Sequence, residues 1–134
     1  MTPTTKTRDM NTKTMKVLVA DDDPLNLRVA ARHLKDLGHT GALVTDGVQV
    51  MRIIEQQTFD LVLLDLSMPN MDGNETLLAL RAWGERKGQR LPVLMVTGHD
   101  DEQTKQHLLS AGADAVLHKP LTQNALLAAI RCLV

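Results

Sequence analysis

Tyrosine is absent from this chain, and Phe59 and Trp83 are its only aromatic side chains. Single-stranded nucleic acids are held largely by bases stacked on aromatic rings, so this inventory argues against that function. Neither sign of charge dominates, the formal net charge being −1. Composition therefore supports no basic face for nucleic acid or for an anionic membrane. Cysteine is nearly absent too. Cys132 stands alone, which excludes an internal disulfide and fits a reducing, cytosolic compartment. It falls in a late apolar stretch and is expected in the core. No apolar run is long enough to span a bilayer and no signal-peptide pattern opens the chain; both are compatible with a membrane-anchored parent. No Gly-x-Gly-x-x-Gly occurs, which removes a dinucleotide-binding reading.

What is present is a globular composition. The 134 residues, 43% of them apolar, suffice for one domain with its own core. Residues 1–14 are rich in Thr and Lys without apolar periodicity, and read as a disordered tail ahead of a domain over 15–134. From Lys16 onward the pattern is regular. "KVLVA", "GALVT", "FDLVLLD", "LPVLMVTG" and the stretch within "ADAVLHKP" read as five strands. Between and after them come five amphipathic helices: Leu25 to Leu37, the segment "DGVQVMRIIEQQ", Asn74 to Lys87, "DDEQTKQHLLSAG" and "LTQNALLAAIRCLV". Strict alternation with nearly continuous apolar strands predicts an α/β domain, a parallel sheet covered on both faces. Ligands of such sheets bind beyond the carboxyl ends of the strands.

The residues at those ends are unusual. Asp21 and Asp22 follow the first strand, Asp65 ends the third, Thr97 ends the fourth, and Lys119 with Pro120 follows the fifth. Three carboxylates, a hydroxyl and an ammonium are thus expected to converge. Two carboxylates in close contact repel by on the order of several kcal/mol at an effective dielectric of about 20. A divalent cation relieves this, and an all-oxygen set suits Mg2+. Metal and Lys119 together would neutralise phosphoryl oxygens, Thr97 would donate a hydrogen bond, and a carboxylate could serve as nucleophile.

The motifs "VLVADDDP", "DLVLLDLSMPNMDG", "VTG" and "HKP", in this order, resemble those of the CheY-like receiver domain of two-component response regulators and hybrid histidine kinases. The resemblance covers everything but the tail. It implies a flavodoxin-like, doubly wound (βα)5 three-layer sandwich with strand order 2-1-3-4-5. It implies Asp65 as phosphoacceptor, with Asp22 and, mostly through water, Asp21 holding Mg2+ (or Mn2+) beside Asp65 and the backbone carbonyl of Ser67. Thr97 would be the switch hydroxyl, Lys119 the partner of the phosphoryl oxygens, and Lys119–Pro120 a cis peptide. The implied partners are a histidine kinase or histidine phosphotransfer domain as donor, a downstream protein target, and a second copy through the helix 4–strand 5–helix 5 face. No conventional enzyme activity is implied beyond self-phosphorylation and autodephosphorylation.

Several features have plainer readings. Asp23-Pro24 and Asp72-Gly73 are helix starts rather than ligands. His33 and His107 on helices and His39 near a turn are expected at the surface, whereas His99 and His118 border the site; none is expected to bind metal. Leu126, Ile130 and Leu133, widened by Leu127 and Val134, make a core stripe on the last helix. The chain departs from the family at Val116, where many receivers carry Tyr or Phe as the partner of the switch hydroxyl. No output domain is expected after Val134, leaving a stand-alone receiver or, preferably, the receiver module of a hybrid kinase. The rivals are a haloacid-dehalogenase-like phosphatase with Asp21 as nucleophile and Asp23 as acid, and a receiver that binds partners without being phosphorylated.

Overall fold

In the computed structural model the structure describes residues 14–133. The expected tail, apart from Thr14, and the place of Val134 on the apolar stripe lie outside the described residues. The order of elements is β1 (Lys16–Ala20), α1 (Pro24–Asp36), β2 (Thr40–Val44), α2 (Gly47–Ile53), β3 (Leu61–Asp65), α3 (Gly73–Lys87), β4 (Val93–Thr97), α4 (Glu102–Ser110), β5 (Ala115–His118) and α5 (Gln123–Leu133). The five strands form one parallel sheet in the order β2-β1-β3-β4-β5, as the resemblance implied.

Alternation along the central strands explains why helices cover both faces. Leu18, Val62, Leu64, Val93 and Met95 point to one side, where Val50, Leu77, Leu80, Trp83 and Leu108 of α2, α3 and α4 meet them. Val17, Val19, Leu61, Leu63, Leu94 and Val96 point to the other, against Leu27, Leu34, Leu126 and Ile130 of α1 and α5. Every residue of β3 and β4 is buried. Truncating one of these leucines to alanine would cost about 2–5 kcal/mol through lost transfer energy and the cavity left behind. The strands therefore share one register, and their carboxyl ends lie along one edge.

Helix starts follow from local chemistry. Asp23 accepts from the Leu25 amide at 2.9 Å, with Pro24 in the first helical position. Asp72 and Glu75 form a reciprocal capping box at α3. The capping readings of both aspartates are thus borne out. Most element limits agree with expectation to within one or two residues.

Four expectations need correction. α2 ends at Ile53 rather than running on to Gln57: the Gln56 and Gln57 amides both return to the Ile53 carbonyl, turning the chain so that Phe59 can be buried ahead of β3. Cys132 is exposed; Leu126, Ala129, Ile130 and Leu133 define the inward face of α5, and Cys132 falls off that stripe. His33 is half-buried, its Nε2 lying 3.1 Å from the Leu121 carbonyl oxygen. His39 is buried, with 5% of its surface exposed. Its backbone amide returns to the Leu34 carbonyl at 2.8 Å, and its Nδ1 accepts from the Met15 amide at 3.0 Å.

That last bond sets the titration of His39. An amide can only donate, so Nδ1 is the acceptor and the ring proton sits on Nε2, which is buried with no partner among the described residues. Burial pushes the imidazole pKa below its ordinary value of 6.5. The unfolded chain therefore takes up a proton that the folded chain resists. The stability this group provides is complete above about pH 6.5 and is lost as pH falls toward the depressed folded value. The urea midpoint should fall on acidification through this range, by at most about 1.4 kcal/mol of stability per pH unit from this one proton. In His39→Gln that part of the slope should disappear.

Candidate functional site

Four of the five strands deliver a polar side chain to the carboxyl edge. Asp21 follows β1 directly, its amide donating to the Val44 carbonyl of the neighbouring strand at 3.1 Å. Asp65 is the last residue of β3, and the next amide, Leu66, donates to the Val96 carbonyl at 3.0 Å. Thr97 ends β4. Lys119 follows β5, tied to β4 by its amide on the Thr97 carbonyl at 2.8 Å, and precedes a cis peptide bond to Pro120. The parallel ladder thus fixes the backbone on either side of each group.

Asp65 is 4% exposed and Asp21 6% exposed, whereas Asp22 faces solvent. Lys119 reaches between the two buried carboxylates, with Nζ 2.9 Å from Asp65 Oδ1 and 3.4 Å from Asp21 Oδ2. The other oxygen of Asp21 accepts from the Asp23 amide at 2.9 Å. Oxygens of Asp21, Asp22 and Asp65 all lie within 4.8 Å of one another. Burial pushes the Asp65 carboxyl above the usual carboxylate range; the Lys119 hydrogen bond works against this, and the nearby Asp21 charge adds to it. Burial works in the opposite direction on Lys119, but Asp65 and Asp21 outweigh it and hold its ammonium above the usual range.

A single ammonium faces three carboxylates that share one pocket. That excess of negative charge, in a set of hard oxygen donors, fits a small divalent cation such as Mg2+. Asp22, open to solvent, and Asp65 could bind it, with Asp21 contributing from its buried position.

The structure brings together Asp21, Asp22, Asp65 and Lys119 as expected. Thr97 is buried at the adjoining strand end, where its Oγ1 accepts from the His99 amide at 3.0 Å. Ser67 is exposed in the loop two residues past Asp65. Gly73 closes that loop, its amide donating to the Leu66 carbonyl at 2.8 Å. A Cβ at this position would collide with the Asp65 carbonyl oxygen, so the loop can return this close to its origin only with glycine. Val116 packs against the core beneath α4. Beside it a cavity of about 270 Å³ is lined by Thr97, His99, Lys105, Val116 and His118. Sequence reasoning noticed the missing ring at Val116 but not this cavity beside it. It also missed Asn70, which follows Asp65 by five residues and adopts φ 67°. The only sequence signal for it was the turn-forming run "MPNMDG".

Asp23 caps α1 with its carboxylate. It is therefore turned toward its own helix rather than offered as a general acid next to Asp21, which disfavours the haloacid-dehalogenase-like arrangement.

Comparison with known proteins agrees with this geometry. The family described as the response regulator receiver domain matches residues 17–131. The sensor histidine kinase RcsC of Salmonella typhi is 40% identical over 125 residues, covering 92% of this chain and 13% of RcsC. The sensor protein GacS of Pseudomonas syringae pv. syringae is 36% identical over 118 residues, covering 87% of this chain and 13% of GacS. The chain thus spans about 13% of the length of these relatives. Among solved structures, the receiver domain of the sensor histidine kinase PA1611 from Pseudomonas aeruginosa superposes with a TM-score of 0.78 at 29% identity. The match covers 89% of this chain and 96% of that one, which holds a magnesium ion coordinated in its active-site cleft.

The raised pKa of Asp65 has a consequence for stability without metal. The folded state binds this proton more readily than the unfolded chain does, so the stability the carboxyl provides is present at low pH and lost as pH rises through its folded pKa. Asp65→Asn should therefore be more stable than wild type at neutral pH in chelator. Urea titrations should show the gap narrowing as the pH is lowered into the carboxylate range.

Proposed function

The chain belongs to the response regulator receiver domain family and is a phosphorelay receiver of two-component signalling; on that premise we propose that Asp65 is the residue phosphorylated. The observation that carries this is the buried Asp65 carboxylate, paired at 2.9 Å with Lys119 and sharing oxygen-donor space with Asp21 and Asp22. An Asp65 oxygen attacks the phosphorus of a phosphohistidine on a kinase or histidine phosphotransfer domain. The P–N bond breaks, the imidazole leaves with the bonding pair, and an acyl phosphate forms on Asp65. Lys119 neutralises charge on the transferring group and afterwards on the acyl phosphate. Thr97, one strand away, exchanges its bond to the His99 amide for one to a phosphoryl oxygen. Asp22, Asp65, the Ser67 carbonyl and, mostly through water, Asp21 would hold Mg2+ or, as a substitute, Mn2+, which would supply positive charge against the phosphoryl oxygens.

A donor must approach from above this edge, and on its α1 side the surface is partly apolar. Leu25 and Val29 on α1 are 63% and 37% exposed. They border a cavity of about 220 Å³ that reaches Asp65, Lys119 and Pro120. Exposed aliphatic residues beside a charged pocket suit a docking face for the donor domain. Thr97 and His99 link the site to α4, and the α4–β5–α5 face is where a downstream target or a second copy would read the change. With Val116 replacing an aromatic ring, that change travels through the loop at Gly98 and His99 and the adjoining cavity. The module acts by self-phosphorylation and autodephosphorylation, without turnover of a small substrate, within a cytoplasmic hybrid-kinase module or a stand-alone receiver. None of the described helices is long and apolar enough to cross a membrane.

Intact-mass spectrometry with acetyl phosphate is the test. Wild type should gain one phosphoryl group in the presence of Mg2+ and none in chelator, and Asp65→Asn should gain none under either condition. Continuous hydrolysis of small phosphomonoesters with label on Asp21 would overturn the assignment in favour of a phosphatase. If wild type gains no group from acetyl phosphate or from a phosphohistidine donor, and beryllofluoride fails to bind, the pocket is inert.

A further inference from the structure

The corner between β2 and α2 contributes nothing to the acidic pocket, yet it grips the loop that leaves Asp65. Asp46 is buried, with 7% of its surface exposed. One carboxylate oxygen caps α2 by accepting from the Gln49 amide at 2.9 Å. The other accepts from the side-chain amide of Asn70 at 2.8 Å. Next to it, the Gly47 amide donates to the Met71 carbonyl at 3.1 Å. A Cβ on Gly47 would overlap the Thr76 hydroxyl and come within 2.8 Å of that same carbonyl, so the corner sits directly against the loop.

The loop has other restraints as well: Met68 is buried in the core, and the Ser67 amide donates to the Asp65 carboxylate. It leaves β3 through the Leu66 amide on Val96, and it closes through the Gly73 amide on Leu66 and the Met71 amide on Pro69. Between these ties Asn70 adopts the left-handed conformation, φ 67°, which asparagine tolerates but which still disfavours the folded loop. Asp46 helps to hold it there with a charge-assisted hydrogen bond. Ser67 lies in the segment so restrained.

We propose that Asp46 is a positioning residue for the metal site: by holding Asn70 from the neighbouring corner, it sets the loop that places the Ser67 carbonyl. The proposal rests on the receiver reading above and deepens it. Asp46 works through the loop and touches none of the reacting atoms. Hydrogen bonds from the Gln49 and Asn70 amides keep its carboxyl below the usual carboxylate range, so the grip is that of a carboxylate at neutral pH.

A helix cap alone would also explain a buried aspartate, and substitutions separate the two roles. Asp46→Ser keeps a good N-cap but is too short to reach Asn70. Asp46→Asn keeps the cap and can pair amide to amide with a turned Asn70. Two readouts suffice: Mg2+ half-saturation by calorimetry, and amide hydrogen exchange of the metal-free protein. Asp46→Ser should weaken Mg2+ about 10-fold, the scale seen when residues that orient metal ligands are lost. It should also speed exchange at Met71 and Gly73 while leaving Ile54, whose amide donates to the Val50 carbonyl just past the end of α2, unchanged. Asp46→Asn should restore both readouts. In an Asn70→Gly background, Asp46→Ser should cause no further loss.

Wild-type half-saturation in Asp46→Ser, or an equal further loss in the Asn70→Gly background, would overturn the proposal while leaving the receiver reading intact. A wild type that neither binds Mg2+ nor accepts a phosphoryl group on Asp65 would remove both.

Discussion

The ion pair between Lys119 and Asp65 is the interaction on which the site depends. A carboxylate at the end of a fully buried strand is unfavourable on its own, because burial penalises its charge and Asp21 repels it. Lys119, arriving from the far side of the sheet's centre, offsets part of that cost without cancelling it. The result is a buried carboxyl only partly compensated, in a pocket that keeps an excess of negative charge. Without Lys119 the carboxyl would be pushed further above the usual carboxylate range.

That balance needs the sheet. Asp65 and Lys119 are 54 residues apart in the chain and meet because β3 and β5 flank β4 in register. The strands hold register because their side chains alternate between two apolar layers, and a slip of one residue would exchange the layers. The core therefore works as a ruler for the charged edge. The loops at that edge carry the adjustable parts. Gly73 returns the loop after Asp65 to its origin, and Asp46 restrains its middle.

Much of this was legible in the chain itself. Nearly continuous apolar runs marked the strands, capping aspartates marked α1 and α3, and the positions of Asp21, Asp22, Asp65, Thr97 and Lys119 at strand ends marked the pocket. The misreadings share a cause. Cys132 lies in an apolar stretch, but a helix has a second face, and only packing against β-strand residues decided which face was inward. His39 looks like a turn residue, yet its ring swings beneath the chain entering β1 and is bonded by the Met15 amide. The hydrogen bond between Asp46 and Asn70 was invisible because the two come from different loops.

By itself the sequence determined the order of elements, the layering of the sheet and the residue types delivered to its edge, because hydrophobic periodicity and capping act over a few neighbouring residues. It also determined, at Val116, that no aromatic ring would stand near Thr97. The tertiary structure alone decided which of Asp21's oxygens faces Lys119, how deeply Asp65 is buried, where His39 and Cys132 lie, and that Asp46 reaches the loop after β3. Those outcomes rest on distances and solvent exclusion between residues far apart in the chain, and such quantities exist only once the sheet has closed on both of its cores.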